Sequence, residues 1–232
     1  MAQAGSTYVI VHGAWGGTWQ FKNTARMLQD ENQIVYRPTL TGLGDKYHLA
    51  DNPINLSTHI KDVVNLILFE DLKDVILVGH SYGGMVITGV ADSLAGRIKK
   101  LVYLDAIIPS DGQSVVDALK LPSDHAFVSG PQSEKFIVPG WVKDTTVFPR
   151  DVPHPIATFT EKLSLKNSAR EKIPTTYILT YEPKNGDMQK DDFYKFYQKA
   201  KENNWKLITL EASHNPQIDK LDDLVRILLN EK

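Results

Sequence analysis

The sequence contains no cysteine among its 232 residues, and this absence removes several kinds of chemistry. Without cysteine the chain can form no disulfide, offer no thiolate nucleophile and bind no metal ion through sulfur. A chain free of cysteine tolerates either redox state, so this absence does not choose a cellular compartment. Any nucleophile must therefore be sought among other side chains.

Long apolar runs and blocks of one charge are absent as well. The longest apolar runs fall well short of the ~20 residues that a membrane span needs, so we expect no membrane partner. The opening stretch MAQAGSTYVIVHG has no basic segment followed by a long apolar one, as a signal peptide would, and we expect a cytoplasmic protein. The formal net charge is -2 and no lysine and arginine cluster stands out, which argues against a nucleic-acid partner.

Phosphate-binding glycine motifs are also missing. The pattern G-x-x-x-x-G-K-[ST] occurs nowhere in the chain. In GHSYGG, Ser81 occupies the position at which the dinucleotide motif G-x-G-x-x-G needs glycine, and a second partial match from Gly42 fails at Tyr47. We therefore exclude nucleotide binding.

What the sequence does contain is a regular alternation of short apolar runs and longer segments with helical spacing. Several runs are apolar on both faces, as strands of a parallel sheet covered on both sides are. This alternation predicts an α/β fold with about six mostly parallel strands and helices on both faces. The predicted strands span residues 8–12, 33–37, 74–79, 99–105, 175–180 and 206–211. For the helix that precedes the third strand, Ser57 is the predicted N-cap.

The alternation breaks once, between Asp105 and Thr175. About 70 residues there show no convincing strand and many prolines, and insertions of such length are usually functional. Because this segment follows the carboxyl end of the fourth strand, we predict a cap or lid over about residues 108–172. The whole chain, residues 1–232, is predicted to form one domain around it.

Ser81 lies at the centre of the motif G-x-S-x-G, formed by residues 79–83. The motif directly follows the apolar strand 74–79 and precedes a helical run that begins near Tyr82. This is the context of a nucleophile elbow, in which a serine in a tight strand-to-helix turn exposes its hydroxyl group. The alternative is a glycine-rich turn in which the serine only caps the helix.

A serine nucleophile needs a general base and donors for an oxyanion. His214 is the candidate base because it follows the last strand, and the carboxyl ends of parallel strands meet at one edge of the sheet. The backbone N–H groups of Tyr82 and Ala14 are the predicted oxyanion donors, the second from the loop after the first strand. The other histidines are interpreted as structural or as loop residues, and Asn215 and Pro216 are predicted to open the last helix.

The segments HGAWGGTW, TLTGLGD, GHSYGGMV and LVYLDAIIPSDGQS together resemble the α/β-hydrolase superfamily. More closely they are similar to bacterial carboxylesterases related to plant methylesterases and hydroxynitrile lyases. The resemblance implies ester hydrolysis through an acyl-enzyme, with no cofactor and no metal ion. It also makes a homodimer plausible.

The acid that orients the base is the least regular feature of the resemblance. Most relatives carry it after the strand that precedes the strand of the base, where this chain has Tyr181, Glu182 and, further on, Asp187. A second known position follows the strand after the elbow, and Asp105 stands there. Asp105 ends an apolar strand, where a carboxylate is poorly solvated and needs a partner. We predict Asp105 as the acid and keep Glu182 and Asp187 as alternatives.

The predicted function is that of a serine carboxylesterase acting on small-to-medium neutral esters. A lactonase or acyltransferase would use the same triad. A hydroxynitrile lyase is disfavoured because Gly13 and Asn215 stand where the resemblance leads one to expect threonine and lysine, and a receptor that binds a small ligand without catalysis is the last alternative. The residues predicted to line the substrate pocket are Gly13, Trp15, Met85, Phe127, Phe136 and Trp141.

Overall fold

A six-stranded sheet forms the centre of the computed structural model, which describes residues 5–50, 53–122, 125, 135–182 and 187–232. In chain order the strands are β1 (Thr7–Val11), β2 (Ile34–Tyr36), β3 (Val75–His80), β4 (Ile98–Leu104), β5 (Phe136–Ile137), β6 (His154–Pro155), β7 (Thr175–Tyr181) and β8 (Lys206–Glu211). The sheet has the order β2-β1-β3-β4-β7-β8, and all its neighbouring strands are parallel. All six predicted strands are present, and the predicted fold class is confirmed.

The helices lie on both faces of this sheet. They are α1 (Lys22–Asp30), α2 (Leu56–Phe69), α3 (Gly83–Leu94), α4 (Val115–Leu119), α5 (Ala157–Thr160), α6 (Tyr194–Glu202), α7 (Pro216–Asp219) and α8 (Leu221–Leu229). Alternate residues of β3 enter two different cores: Leu77 packs with α2 and α3, whereas Ile76 and Val78 pack with α1 and α8. Since successive side chains of a strand point to opposite faces, this double burial explains the continuous apolar run. No helix in the described part of the chain has the length and apolar character needed to cross a membrane.

Two helix starts differ from the sequence predictions. The N-cap of α2 is Asn55, whose side chain accepts a hydrogen bond from the Thr58 backbone at 3.0 Å in a capping box. Ser57 lies in the first turn instead, where its N–H and hydroxyl both donate to the Glu161 carboxylate. Asn215 and Pro216 open the short helix α7, and α8 begins separately after Lys220. The prediction of one continuous last helix from Pro216 is therefore wrong.

The segment between β4 and β7 contains α4, α5 and a small antiparallel pair formed by β5 and β6. Two-residue strands are too short to produce a recognisable alternation in the sequence, which explains why none was predicted here. The segment is tied to α2 through Glu161 and to α3 through Asp92, which accepts from the Lys166 and Asn167 backbones. Its role as a cap stays a prediction.

The carboxylate of Glu231 is fully buried at the opposite end of the sheet, near the end of the chain. It receives hydrogen bonds from Thr176 on β7 and Lys206 on β8, and it pairs with Lys100 on β4 at 2.5 Å. Burial alone would raise the pKa of Glu231, but these three partners outweigh it and lower the pKa below its usual value. Glu231 thus joins the three neighbouring strands β4, β7 and β8 through a carboxylate that is shielded from water.

Replacement of Glu231 by glutamine should destabilise the protein by about 3 kcal/mol at pH 7, because two lysines lose their buried counter-charge. A carboxyl group whose pKa is lower in the folded state stabilises the fold at a pH above its unfolded-state pKa of about 4.3. This stabilisation is lost as the pH falls through the folded-state pKa. The difference between wild type and Glu231→Gln should therefore shrink below about pH 4. Urea unfolding across pH measures this, with the exposed Glu202→Gln as the control expected to stay within about 0.5 kcal/mol of wild type.

Candidate active site

Ser81 occupies the tight turn between β3 and α3. Its backbone has a φ of 54°, in the left-handed region that non-glycine residues rarely adopt. The turn is held against the next strand because the Ser81 N–H donates to the Leu104 carbonyl at 3.2 Å and the Ile107 N–H donates to the Ser81 carbonyl at 3.1 Å. A strained serine between a strand and a helix is the geometry that the elbow motif predicts.

Close backbone approaches explain why glycine flanks this turn. A Cβ atom on Gly83 would lie 2.7 Å from the Val11 carbonyl oxygen of β1, and one on Gly84 would lie 2.1 Å from the Ile107 carbonyl oxygen. Neither position could hold a larger residue without displacing the backbone. The glycines therefore allow α3 to begin directly against β1 and the segment after β4.

Asp105 and His214 meet at the carboxyl edge of the sheet, although 109 residues separate them. His214 Nδ1 lies 2.6 Å from Asp105 Oδ2, and the Thr180 N–H donates to Asp105 Oδ1 at 3.2 Å. Asp105 is only 1% exposed, whereas the His214 side chain is 38% exposed. Asp105 also has a positive φ of 42° and donates its N–H to the Ile178 carbonyl, so β4 and β7 together fix its position.

The His214 ring is held between two other rings. Phe193 stacks on it with 4.8 Å between ring centroids, and His80 lies at the same centroid distance. His80 Nε2 donates to the His214 carbonyl oxygen at 2.7 Å, which joins the residue before Ser81 to the loop after β8. Burial, reinforced by the nearby His214, lowers the pKa of His80 to about 3, so His80 is a neutral donor here. The contact of Phe193 with the imidazole leaves no signal in the sequence, and His80 was predicted only to be structural.

Among the described residues, no hydrogen bond joins the Ser81 hydroxyl to His214. Such catalytic hydrogen bonds are often long in unliganded enzymes and shorten when substrate binds. The bond from His80 to the His214 backbone nevertheless places the loop of the base beside the elbow. Ser81 and the Asp105–His214 pair therefore share one edge of the sheet.

The loop after β1 reaches the same place. A Cβ atom on Gly13 would lie 3.1 Å from the Ser81 Cβ and 3.1 Å from His80 Nδ1, so Gly13 packs directly against the serine. Ala14 follows it. Within the described part of the chain, neither the Ala14 N–H nor the Tyr82 N–H donates to another protein group, and both flank Ser81 in space or in sequence.

The alternative acids lie elsewhere. Glu182 directly follows β7 and is half-buried, while Asp187 is exposed and accepts a hydrogen bond from the Gln189 backbone at a short helical turn. Among the described residues, Asp105 is the carboxylate that lies within hydrogen-bonding distance of the His214 imidazole. No group of three His, Asp or Glu side chains able to hold a metal ion occurs among the residues that the structure covers.

The predicted pocket residues are found in different environments. The Trp15 ring makes an edge contact with Trp141 at 5.1 Å, and Trp141 is exposed. Phe136 is half-buried on β5, whereas Met85 is fully buried in the core with α3. Phe127 lies outside the described residues. An aromatic surface around Trp15 therefore adjoins the loop after β1, while Met85 contacts core side chains.

Comparison with known proteins places this arrangement in a family. The model of the alpha/beta hydrolase family matches residues 8–227. The chain is an α/β-hydrolase. A carbendazim hydrolyzing esterase from Nocardioides sp. (strain SG-4G) is 34% identical over 96% of this chain and 98% of its own length.

Two further proteins match with lower sequence identity. The putative chloroplastic methylesterase 11 of Arabidopsis thaliana is 31% identical, but the match spans 49% of this chain and 30% of that protein. An extracellular alpha/beta-hydrolase from a Paenibacillus species has the same fold, with a TM-score of 0.73, 24% identity and coverage of 97% and 98% of the two chains. The predicted family is confirmed, and the chain is a carboxylic ester hydrolase.

Proposed function

We propose that this α/β-hydrolase cleaves neutral carboxylic esters through an acyl-enzyme, with Ser81 as nucleophile, His214 as base and Asp105 as acid. The observation that carries the proposal is the 2.6 Å contact between His214 Nδ1 and a buried Asp105 carboxylate, beside a strained serine. A nucleophile, a base and a group that orients the base are the three parts that acyl transfer to serine requires.

In the first half of the reaction, Ser81 Oγ attacks the ester carbonyl carbon while His214 Nε2 takes its proton. The C–O bond of the tetrahedral intermediate then breaks, and the imidazolium returns the proton to the departing alcohol. In the second half, His214 removes a proton from water, the hydroxide attacks the acyl-enzyme, and the acid product leaves as Ser81 regains its proton. Asp105 holds the Nδ1–H tautomer throughout and offsets the positive charge of the imidazolium.

The negative charge on the carbonyl oxygen is assigned to the backbone N–H groups of Tyr82 and Ala14. Within the described part of the chain neither group donates to another protein group, and Gly13, the residue before Ala14, packs against Ser81. A fixed donor of this kind typically contributes about 3 kcal/mol of transition-state stabilisation. The Ser81 carbonyl cannot compete for these donors, because it accepts from Ile107 and Gly84 instead.

The aromatic surface formed by Trp15 and Trp141 favours esters with a flat apolar part and no charge. The similarity to a carbendazim hydrolyzing esterase fits this assignment and makes carbendazim a compound to assay. Initial rates on p-nitrophenyl and methyl esters of increasing acyl length, with carbendazim alongside, would define the preference. A preference for charged acyl groups over neutral ones would contradict the proposal.

Reaction with a fluorophosphonate is expected to add one phosphonyl group to the native protein, because an activated serine displaces the fluoride. Intact mass spectrometry measures the adduct, and Ser81→Ala should remove it. Ser93→Ala is the matched control, since Ser93 lies on α3, the helix that follows Ser81, and its hydroxyl donates to the Gly89 carbonyl. An unlabelled native protein, or labelling that persists in Ser81→Ala, would contradict the proposed nucleophile.

A further inference from the structure

The peptide group between Ala14 and Trp15 is fixed at both of its ends. Its carbonyl oxygen accepts from the Gly16 N–H at 2.7 Å, across a turn in which Trp15 has a φ of 60°. A three-residue turn with positive φ at a bulky residue is rare and strained. Such strain persists only when the surrounding structure holds it in place.

The groups that hold this turn come from the segment between β4 and β7. The Trp15 backbone N–H donates to His154 Nδ1 at 3.0 Å, its indole N–H donates to the Ile137 carbonyl, and its carbonyl accepts from the Val152 N–H. His154 is fully buried, and it is the side chain that accepts from the peptide next to Ala14. The conformation of the loop after β1 therefore depends on a residue 139 positions later.

The hydrogen bonds fix the tautomer of His154. Because Nδ1 accepts from Trp15, the ring proton lies on Nε2, which donates to the Thr158 hydroxyl at 2.7 Å. That hydroxyl donates in turn to the Pro155 carbonyl at 2.8 Å. Burial lowers the pKa of His154 well below its usual value, so the ring stays neutral and Nδ1 keeps its lone pair.

His154 also contacts the residue that carries the other proposed oxyanion donor. The His154 ring meets the Tyr82 ring edge-on, with 5.0 Å between the ring centroids, and the Phe159 ring stacks on the Tyr82 ring. The Tyr82 hydroxyl lies 2.9 Å from His59 Nδ1, and since His59 Nε2 donates to the Thr41 carbonyl, Tyr82 is the donor. The Tyr82 side chain is thus held from two sides, by a hydrogen bond and by the ring of His154.

We infer that His154 is a positioning residue for the oxyanion hole: it anchors the Trp15 amide, and through it the Ala14 N–H, and it packs against Tyr82, which supplies the second donor. The inference rests on the proposed function and deepens it, since His154 is buried and acts through the Trp15 amide and the Tyr82 ring. It assigns a catalytic consequence to a histidine that the sequence places in the insertion without any motif.

The test compares two variants, each of which keeps one of the two contacts of His154 and loses the other. His154→Asn keeps an acceptor, Oδ1, at the place of Nδ1, whereas His154→Phe keeps a ring but has no acceptor. His154→Phe should lower kcat on a p-nitrophenyl ester by roughly 10- to 100-fold, with KM within about twofold of wild type, because only the oxyanion is less well bound. The affinity for an aryl trifluoromethyl ketone, whose serine adduct carries an oxyanion, should fall by a similar factor, and His154→Asn should recover most of both losses.

A second variant, Thr158→Val, tests the inference if His154→Phe does not fold. Thr158→Val removes the acceptor that fixes the Nε2–H tautomer, and it should lower kcat by about 10-fold or less in the same direction. Melting temperatures show which variants are folded. If a folded His154→Phe or Thr158→Val keeps wild-type kcat, or if His154→Asn loses as much kcat as His154→Phe, the inference is overturned. If native protein also fails to react with the fluorophosphonate, the proposed function fails first and the inference with it.

Discussion

Ser81→Ala is expected to lower kcat for ester hydrolysis by about 10⁶-fold. The variant has no atom that can form the acyl-enzyme, so only substrate binding and the oxyanion donors remain to accelerate attack by water. Its fold should be unchanged, because the elbow is fixed by backbone hydrogen bonds to Leu104 and Ile107 rather than by the serine hydroxyl. KM should change little. Steady-state assays of the wild type and long-time assays of Ser81→Ala would measure the two rates.

His214→Ala should have a loss of similar size, and the double variant should lose hardly more than either single one. In the proposed mechanism the base acts only by taking a proton from the serine and returning it, so that removing either residue removes the contribution of the other. Ser93→Ala is again the control and should keep the wild-type rate. Additive losses in the double variant would show that His214 acts independently of Ser81 and would contradict the proposed pair.

Asp105→Asn is expected to lower kcat by roughly 10⁴-fold while the structure stays intact. The Thr180 N–H donates to Asp105 Oδ1, so an asparagine must turn its carbonyl oxygen toward Thr180. Its amide NH₂ group would then face His214 Nδ1, which would have to accept instead of donate. This forces the imidazole proton onto Nε2, where it cannot accept the proton of Ser81.

Glu182→Gln is the matched control for the acid, since Glu182 flanks Tyr181, which stands where the resemblance leads one to expect the acid. It should keep the wild-type rate to within about twofold, because the hydrogen bond to the imidazole of the proposed base comes from Asp105 among the described residues. Steady-state kinetics on one p-nitrophenyl ester at several pH values compares the two variants directly. A collapse of kcat in Glu182→Gln with little change in Asp105→Asn would reverse the assignment.

Several elements were predictable because their cause is local in the sequence. The strand of residues 74–79 is apolar at every position since both of its faces are covered, and its observed range, Val75–His80, agrees with the prediction. The turn at Ser81 follows from glycines that only a tight strand-to-helix crossing requires. The place of Asp105 at the end of the next strand likewise follows from chain order alone, although its role as acid stays a prediction.

Other features could not be predicted because they depend on contacts with distant segments of the chain. Asn55 and Ser57 can both cap a helix, and the choice depends on Glu161, which binds Ser57 from 104 residues away. The pairing of β5 with β6 involves two residues on each side, too few to leave a periodic pattern. Both outcomes depend on contacts between segments that the sequence does not bring together.

The sequence by itself determined the α/β architecture, the elbow at Ser81 and the edge of the sheet at which a site can form. Only the tertiary structure decided that Asp105 meets His214, that Phe193 and His80 enclose the imidazole, and that His154 holds the loop of Ala14. Strands and turns leave a local pattern in the sequence, which apolar periodicity and glycine reveal. The choice among several carboxylates and histidines arises from distances of a few ångströms between residues more than a hundred positions apart, and these distances exist only once the sheet has formed.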